Sequence, residues 1–273
     1  MSGNQPNASP LNMSEFVTPV ILPGEKEIRL IQPDGESIRG YFYDTGNGPV
    51  GIYLHGFRSH CNGEKALQFA QHAISMDRSW LRFDLRGHGR SDGDLKDQII
   101  SSGVSDLLRV IDWVIDRPLI LHGSSMGGWI SLLATMRRKP RISGMMLIAP
   151  AFNFVQHSLS TLPVQILQQW KAETYMSFPD AYGGEPYTLR YDIMQDAEQY
   201  DVMNTDISID IPLHIVHGEN DPIIPITYTD KFIRHAHLPG LIFERIPKGD
   251  HRLTDHIPLI ISHIDCIWQE IYK

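Results

Sequence analysis

Short runs of β-branched and aromatic residues, each closed by Gly, Pro or Asp, recur along the chain. They predict strands over 27–31, 38–43, 50–54, 80–84, 119–122, 144–148, 213–217 and 241–246. Between the later runs apolar residues return every three or four positions. That spacing predicts helices over 64–75, 104–116, 126–137, 227–237 and 258–272. Asp34-Gly35 is a hairpin signal, so the sheet is expected to begin antiparallel. From the third strand on, strands and helices alternate. This implies βαβ crossovers and a mostly parallel sheet of about eight strands with helices on both faces. In such sheets reactive groups sit on loops at the carboxyl ends of the strands.

One stretch breaks the rhythm. Residues 151–210 show helical patterns over 162–175 and 190–203 but no clear strand. Sixty residues are too many for a bare loop, so a small helical cap over the carboxyl edge is expected. The first dozen residues are rich in Asn, Ser, Pro and Gly. The expected organisation is a flexible tail over 1–25 and one α/β domain over 26–273, with the cap inserted at about 151–210.

Composition narrows the partners. Of the 273 residues 42% are hydrophobic and 21% charged, the formal net charge is −8, and there is no Lys/Arg run. That balance argues against a nucleic-acid partner or electrostatic attachment to a membrane surface. No apolar run is long enough to span a bilayer. The first basic residue is Lys26, which argues against a secretory or transit peptide and makes a cytoplasmic location the expectation. Cys61 and Cys266 are far apart and read as free thiols in a reducing compartment. His235 and His237 sit two apart near a helix end and cannot share one face as a metal pair would. Neither a metal nor a cofactor is expected.

Candidate chemistry begins where the run 119–122 leads into Gly123-Ser124-Ser125-Met126-Gly127 and a helical pattern follows. A sharp strand-to-helix turn of this kind holds a serine hydroxyl clear of the backbone, and Gly123 and Gly127 permit close packing around Ser125. A serine nucleophile needs a base to take its proton and an acid to orient that base, in the chain order Ser, acid, His. Asp221, before Pro222 and after the strand at 213–217, is the expected acid, with Glu219 in reserve. His251, after the strand at 241–246, is the expected base, whereas His256 and His263 fall in the final helix. An oxyanion hole requires two inward backbone N–H groups. Met126 supplies one and Phe57 the other, with Gly56 letting the main chain turn. His55, His122 and His217 each precede a Gly at a strand end and are expected to orient loops, His55 also lying near enough to touch substrate. The segment 82–91 reads as a tight loop held by Asp84–arginine pairing rather than as a phosphate or carboxylate site.

Five motifs in this order resemble the α/β-hydrolase superfamily: Leu54-His55-Gly56-Phe57, Phe83-Asp84-Leu85-Arg86-Gly87-His88-Gly89-Arg90-Ser91, Gly123-Ser124-Ser125-Met126-Gly127-Gly128, Gly218-Glu219-Asn220-Asp221 and Gly249-Asp250-His251. Serine at the nucleophile position separates the chain from that superfamily's haloalkane dehalogenases and epoxide hydrolases, which place Asp there. Asn62-Gly63-Glu64-Lys65-Ala66-Leu67 and the elbow ending in Gly128-Trp129 are similar to the branch of palmitoyl-protein thioesterases and acyl-glucuronide esterases. The resemblance implies Ser125, Asp221 and His251 as nucleophile, acid and base. The residue before Gly56 and the absence of a mitochondrial presequence depart from that branch.

The expected activity is hydrolysis of carboxylic esters or thioesters through an acyl-enzyme. The aromatic and Met content of the cap (Phe152, Phe154, Trp170, Tyr175, Met176) points to small or acylated substrates with apolar acyl groups. A carbon–carbon bond hydrolase using the same triad is the alternative enzyme. A ligand-sensing or binding protein with a vestigial triad is the alternative from another class.

Overall fold

The central strands of this chain are mostly apolar, and such strands need cover on both faces. The computed structural model describes residues 18–272. In order the elements are β1 (Lys26–Ile31), β2 (Ser37–Tyr43), β3 (Val50–Leu54), α1 (Glu64–Ser75), β4 (Ser79–Asp84), α2 (Ile100–Trp113), β5 (Leu119–Ser124), α3 (Met126–Arg137) and β6 (Ile142–Ile148). The cap follows, with α4 (Val164–Glu173), β7 (Tyr175–Phe178), β8 (Tyr187–Arg190) and α5 (Asp192–Glu198). The chain then returns through β9 (Leu213–Gly218), α6 (Ile226–His235), β10 (Leu241–Ile246) and α7 (Ile257–Ile271).

Eight strands form one sheet in the order β1-β2-β4-β3-β5-β6-β9-β10. β1 and β2 pair antiparallel with Lys26 opposite Phe42, β2 runs antiparallel to β4, and all later pairs are parallel. β3, β4, β5 and β9 are buried along their whole length. One core cluster gathers residues of α2, α3 and α6 with the cap residues Trp170, Phe178 and Leu189. The other gathers α1 and α7 on the opposite face. No helix among the described residues is long and apolar enough to cross a membrane.

Three features differ from the sequence expectations. Residues 1–17 of the expected tail lie outside the described residues; 18–25 run largely exposed but are pinned at two points, where Leu22 is buried and Glu25 pairs with Arg82. The cap contains an antiparallel hairpin, β7 with β8, where only helices were expected. Its strands are four residues each and half-exposed, so they leave little apolar alternation to read. The loop after β4 is not held by an Asp84–arginine pair. Asp84 instead accepts the backbone N–H groups of Cys61 and Arg90, and the arginines go elsewhere: Arg82 to Glu25, Arg86 to Asp106 and Arg90 to Glu27.

Candidate active site

Ser125 stands between β5 and α3 with φ 54° and ψ −120°. A side chain rarely adopts such a backbone, and holding it there costs on the order of 1–3 kcal/mol. The surrounding main chain imposes it. Ser125 N–H donates to Ile148 O at 2.9 Å, and Ser125 O accepts from Gly128 and Ala151 N–H at 2.9 and 3.0 Å. The glycines make the turn possible sterically. A Cβ on Gly127 would lie 2.4 Å from Leu54 O, and one on Gly123 would lie 2.4 Å from Gly127 O.

His251 bridges Ser125 and Asp221. Its Nε2 is 2.9 Å from Ser125 Oγ, and its Nδ1 is 2.6 Å from Asp221 Oδ2. The loops carrying His251 and Asp221 interlock: Glu219 N–H donates to Ile246 O and Asn220 N–H to Gly249 O, each at 3.0 Å. Gly218 and Gly249 touch so closely that a Cβ on Gly218 would sit 2.2 Å from Gly249 O. The reserve acid, Glu219, is exposed and does not meet His251. Asp221 Oδ1 accepts the backbone N–H groups of Ile223 and Ile224, both at 2.8 Å. Burial alone would raise its pKa, but hydrogen bonds from His217, His251 and the backbone outweigh burial and hold it well below the carboxylate range.

Phe57 and Met126 both line a cavity of about 540 Å³ beside Ser125. Neither N–H enters a turn, loop or cap hydrogen bond among the described residues, so both stay free for a ligand oxygen. Gly56 packs on the serine, where an added Cβ would lie 3.0 Å from Ser125 Cβ.

The three strand-end histidines divide. His55 is fully buried and both its nitrogens bond to backbone, Nδ1 to Gly56 O at 2.8 Å and Nε2 to Leu85 N–H at 3.1 Å. It orients the loop of Phe57 and does not line the cavity, which corrects the expectation of substrate contact. Burial lowers its pKa to about 4, keeping it neutral. His122 has no hydrogen-bond partner among the described residues and packs on Trp80, ring centroids 4.5 Å apart. It fills space beside Trp80. His217 bonds Asp221, a role its position before Gly218 did not disclose. His235, set aside as a metal ligand, meets Thr205 O at 2.5 Å.

The apolar lining of the cavity includes Met126, Phe154, Leu159, Leu189 and Ile224. The polar lining residues escaped the sequence reading, because lone Arg and Lys residues on loops resemble any solvated surface. Arg58 pairs with Asp180 at 3.0 Å and donates to Glu185 O at 2.8 Å, tying the cap to the Phe57 loop. Lys65 donates to Arg252 O at 2.5 Å, and burial lowers its pKa to about 8. Arg252 lies over the Tyr182 ring, 4.0 Å from its centroid.

Residues 50–207 match the family described as serine aminopeptidase, S33. The human palmitoyl-protein thioesterase ABHD10, mitochondrial, is 31% identical over 224 residues, covering 81% of this chain and 73% of that protein. Among solved structures, a putative hydrolase from Agrobacterium vitis S4 superposes with a TM-score of 0.83 at 32% identity, covering 89% of this chain and 98% of that one. Mouse alpha/beta hydrolase domain-containing protein 10 superposes with a TM-score of 0.82 at 26% identity, covering 90% and 99%.

Proposed function

The chain belongs to the α/β-hydrolase family described as serine aminopeptidase, S33, and from that premise we propose that it cleaves esters or thioesters with Ser125, His251 and Asp221 as its catalytic triad. It is a hydrolase, and its curated relatives include palmitoyl-protein thioesterases and monoglyceride lipases. The observation that carries the proposal is the single imidazole within hydrogen-bond reach of both the serine hydroxyl and a buried carboxylate.

His251 Nε2 removes the Ser125 proton as Oγ attacks the acyl carbonyl. The N–H groups of Phe57 and Met126 hold the oxyanion, aided by the positive end of α3. His251 then protonates the leaving group, and water releases the acyl group by the same cycle. Asp221 accepts from Nδ1–H, which keeps Nε2 free as the base. The apolar lining residues of the cavity take the acyl chain, and its polar residues meet the leaving group.

A thiolate leaves with less protonation than an alkoxide, since a thiol has a pKa of about 8.5. The test is turnover of p-nitrophenyl butyrate and of acyl thioesters of graded length by the wild type and Ser125→Ala. The wild type should hydrolyse both classes and the variant neither. Substantial turnover by the variant would remove Ser125 as nucleophile.

A further inference from the structure

We propose that His217 and Thr229 form a fourth and fifth member of the active-site network, with His217 a positioning residue that aims the Asp221 carboxylate at His251. The inference rests on the triad reading and extends it by two side chains.

The proton positions follow from the partners. His217 Nε2 lies 2.9 Å from Ile224 O and 3.1 Å from Asp221 Oδ2. A carbonyl oxygen only accepts, so Nε2 carries the hydrogen and shares it between Ile224 O and the carboxylate. In the neutral ring Nδ1, 2.9 Å from Thr229 Oγ1, is then an acceptor, and the threonine hydroxyl donates to it. Both His217 and Thr229 are fully buried, where an unpaired polar group costs on the order of 1–3 kcal/mol. The tautomer is therefore locked by α6 on one side and by the loop 218–224 on the other.

That lock bears on the reaction. Asp221 Oδ2 receives two N–H groups, one from His251 and one from His217, while Oδ1 is clipped by the backbone of Ile223 and Ile224. The backbone pair fixes one oxygen only. Rotation about the Cβ–Cγ bond would carry both oxygens off their donors, so His217, holding Oδ2 from the side opposite to the reaction partner, adds to the backbone pair in keeping the carboxylate aimed while His251 gains and loses its proton. The other groups near this carboxylate act from different elements: His251 on the loop after β10 and Tyr182 in the cap. Arg245, the β10 residue in register with His217, turns away to pair with Asp230.

The test compares His217→Phe, His217→Gln and Thr229→Val with wild type, using p-nitrophenyl butyrate over a pH series and thermal unfolding of each variant. His217→Phe should lower kcat about 10- to 100-fold with KM within about twofold, in the range of other shell residues that orient a reacting group. The acid limb of kcat/KM should move to lower pH, because a misaligned carboxylate stabilises the His251 imidazolium less. His217→Gln keeps a donor and should recover most of kcat. Thr229→Val, which leaves His217 in place, should fall between. An unchanged profile in His217→Phe overturns the inference, as does a rate loss that follows only the unfolding temperature. A limb moved to higher pH also overturns it, since His217 would then merely withdraw charge from Asp221. Ser125→Ala in the same assay separates the two readings: an active Ser125→Ala defeats the triad itself, whereas an inactive one beside a wild-type-like His217→Phe defeats only the extension.

Discussion

Glu25 and Arg82 form a two-pronged ion pair with no solvent exposure on either side chain. Nε meets Oε1 at 2.8 Å and Nη2 meets Oε2 at 2.6 Å. The remaining guanidinium donors go to Cys61 O, Asn62 Oδ1 and Val20 O, and the guanidinium lies 4.3 Å from the centroid of the Tyr41 ring. One arginine on β4 thus fastens the segment before β1 to the loop that follows Phe57. Removing one partner strands the other charge in the interior, which costs about 3–5 kcal/mol. Glu25→Ala should lose that much stability in urea unfolding. A loss below about 1 kcal/mol would show that the arginine relaxes into water.

Gly127→Ala should damage activity more than its one added methyl suggests. The new Cβ would lie 2.4 Å from Leu54 O and 2.5 Å from His55 O, both backbone atoms that cannot swing aside. Either α3 or the loop of Phe57 must shift, which separates the two N–H groups proposed to hold the oxyanion. A misplacement of about 1 Å costs on the order of 10²-fold in rate. Ester hydrolysis by the purified variant checks this, and wild-type turnover would show that the approach is not needed.

Buried imidazoles should make stability fall on acidification. Burial lowers the pKa of His55 to about 4 and those of His88 and His122 to about 3. Unfolded histidines titrate near 6.5, so below that pH the unfolded chain binds protons that the folded one refuses. Stability is then full above about pH 6.5 and declines as pH falls toward 3–4, by about 1.4 kcal/mol per pH unit for each such imidazole. Urea unfolding between pH 7 and pH 5 measures the slope. His122 touches no functional group, so His122→Phe should flatten that slope by about one proton, and an identical slope would contradict its neutral burial.

The Arg58–Asp180 contact should govern substrate binding rather than folding. Both groups are partly exposed, and such pairs contribute at most about 1 kcal/mol. Asp180 also accepts the N–H groups of Tyr182 and Gly184, shaping the tip of the cap hairpin. Asp180→Ala should raise KM several-fold with kcat and the unfolding midpoint nearly unchanged. An unaltered KM would mean that the hairpin tip does not border the occupied cavity.

Much of this architecture was legible because the relevant signals are local. Glu64–Ser75 and Met126–Arg137 matched their expected helices residue for residue, since Gly63 and the elbow mark their starts. The placement of Asp221 and His251 just beyond β9 and β10 was legible, because apolar runs locate the carboxyl edge of the sheet. The cap hairpin was not: Tyr175–Phe178 and Tyr187–Arg190 are short, and Pro179, Gly183, Gly184 and Pro186 between them read as plain loop. Side-chain pairing across long separations was equally hidden. Nothing local to Glu25 foretells Arg82, and Asp84 was assigned arginines where it holds backbone N–H groups.

The central claim is that the hydroxyl of Ser125 attacks the acyl carbon. Intact-mass and peptide mass spectrometry after incubation with a fluorophosphonate tests it most directly. The wild type should gain one adduct, confined to the peptide containing Ser125, with hydrolysis lost in proportion to labelling, and Asp221→Asn should label far more slowly. An adduct on another residue, or full labelling with hydrolysis intact, would contradict the account.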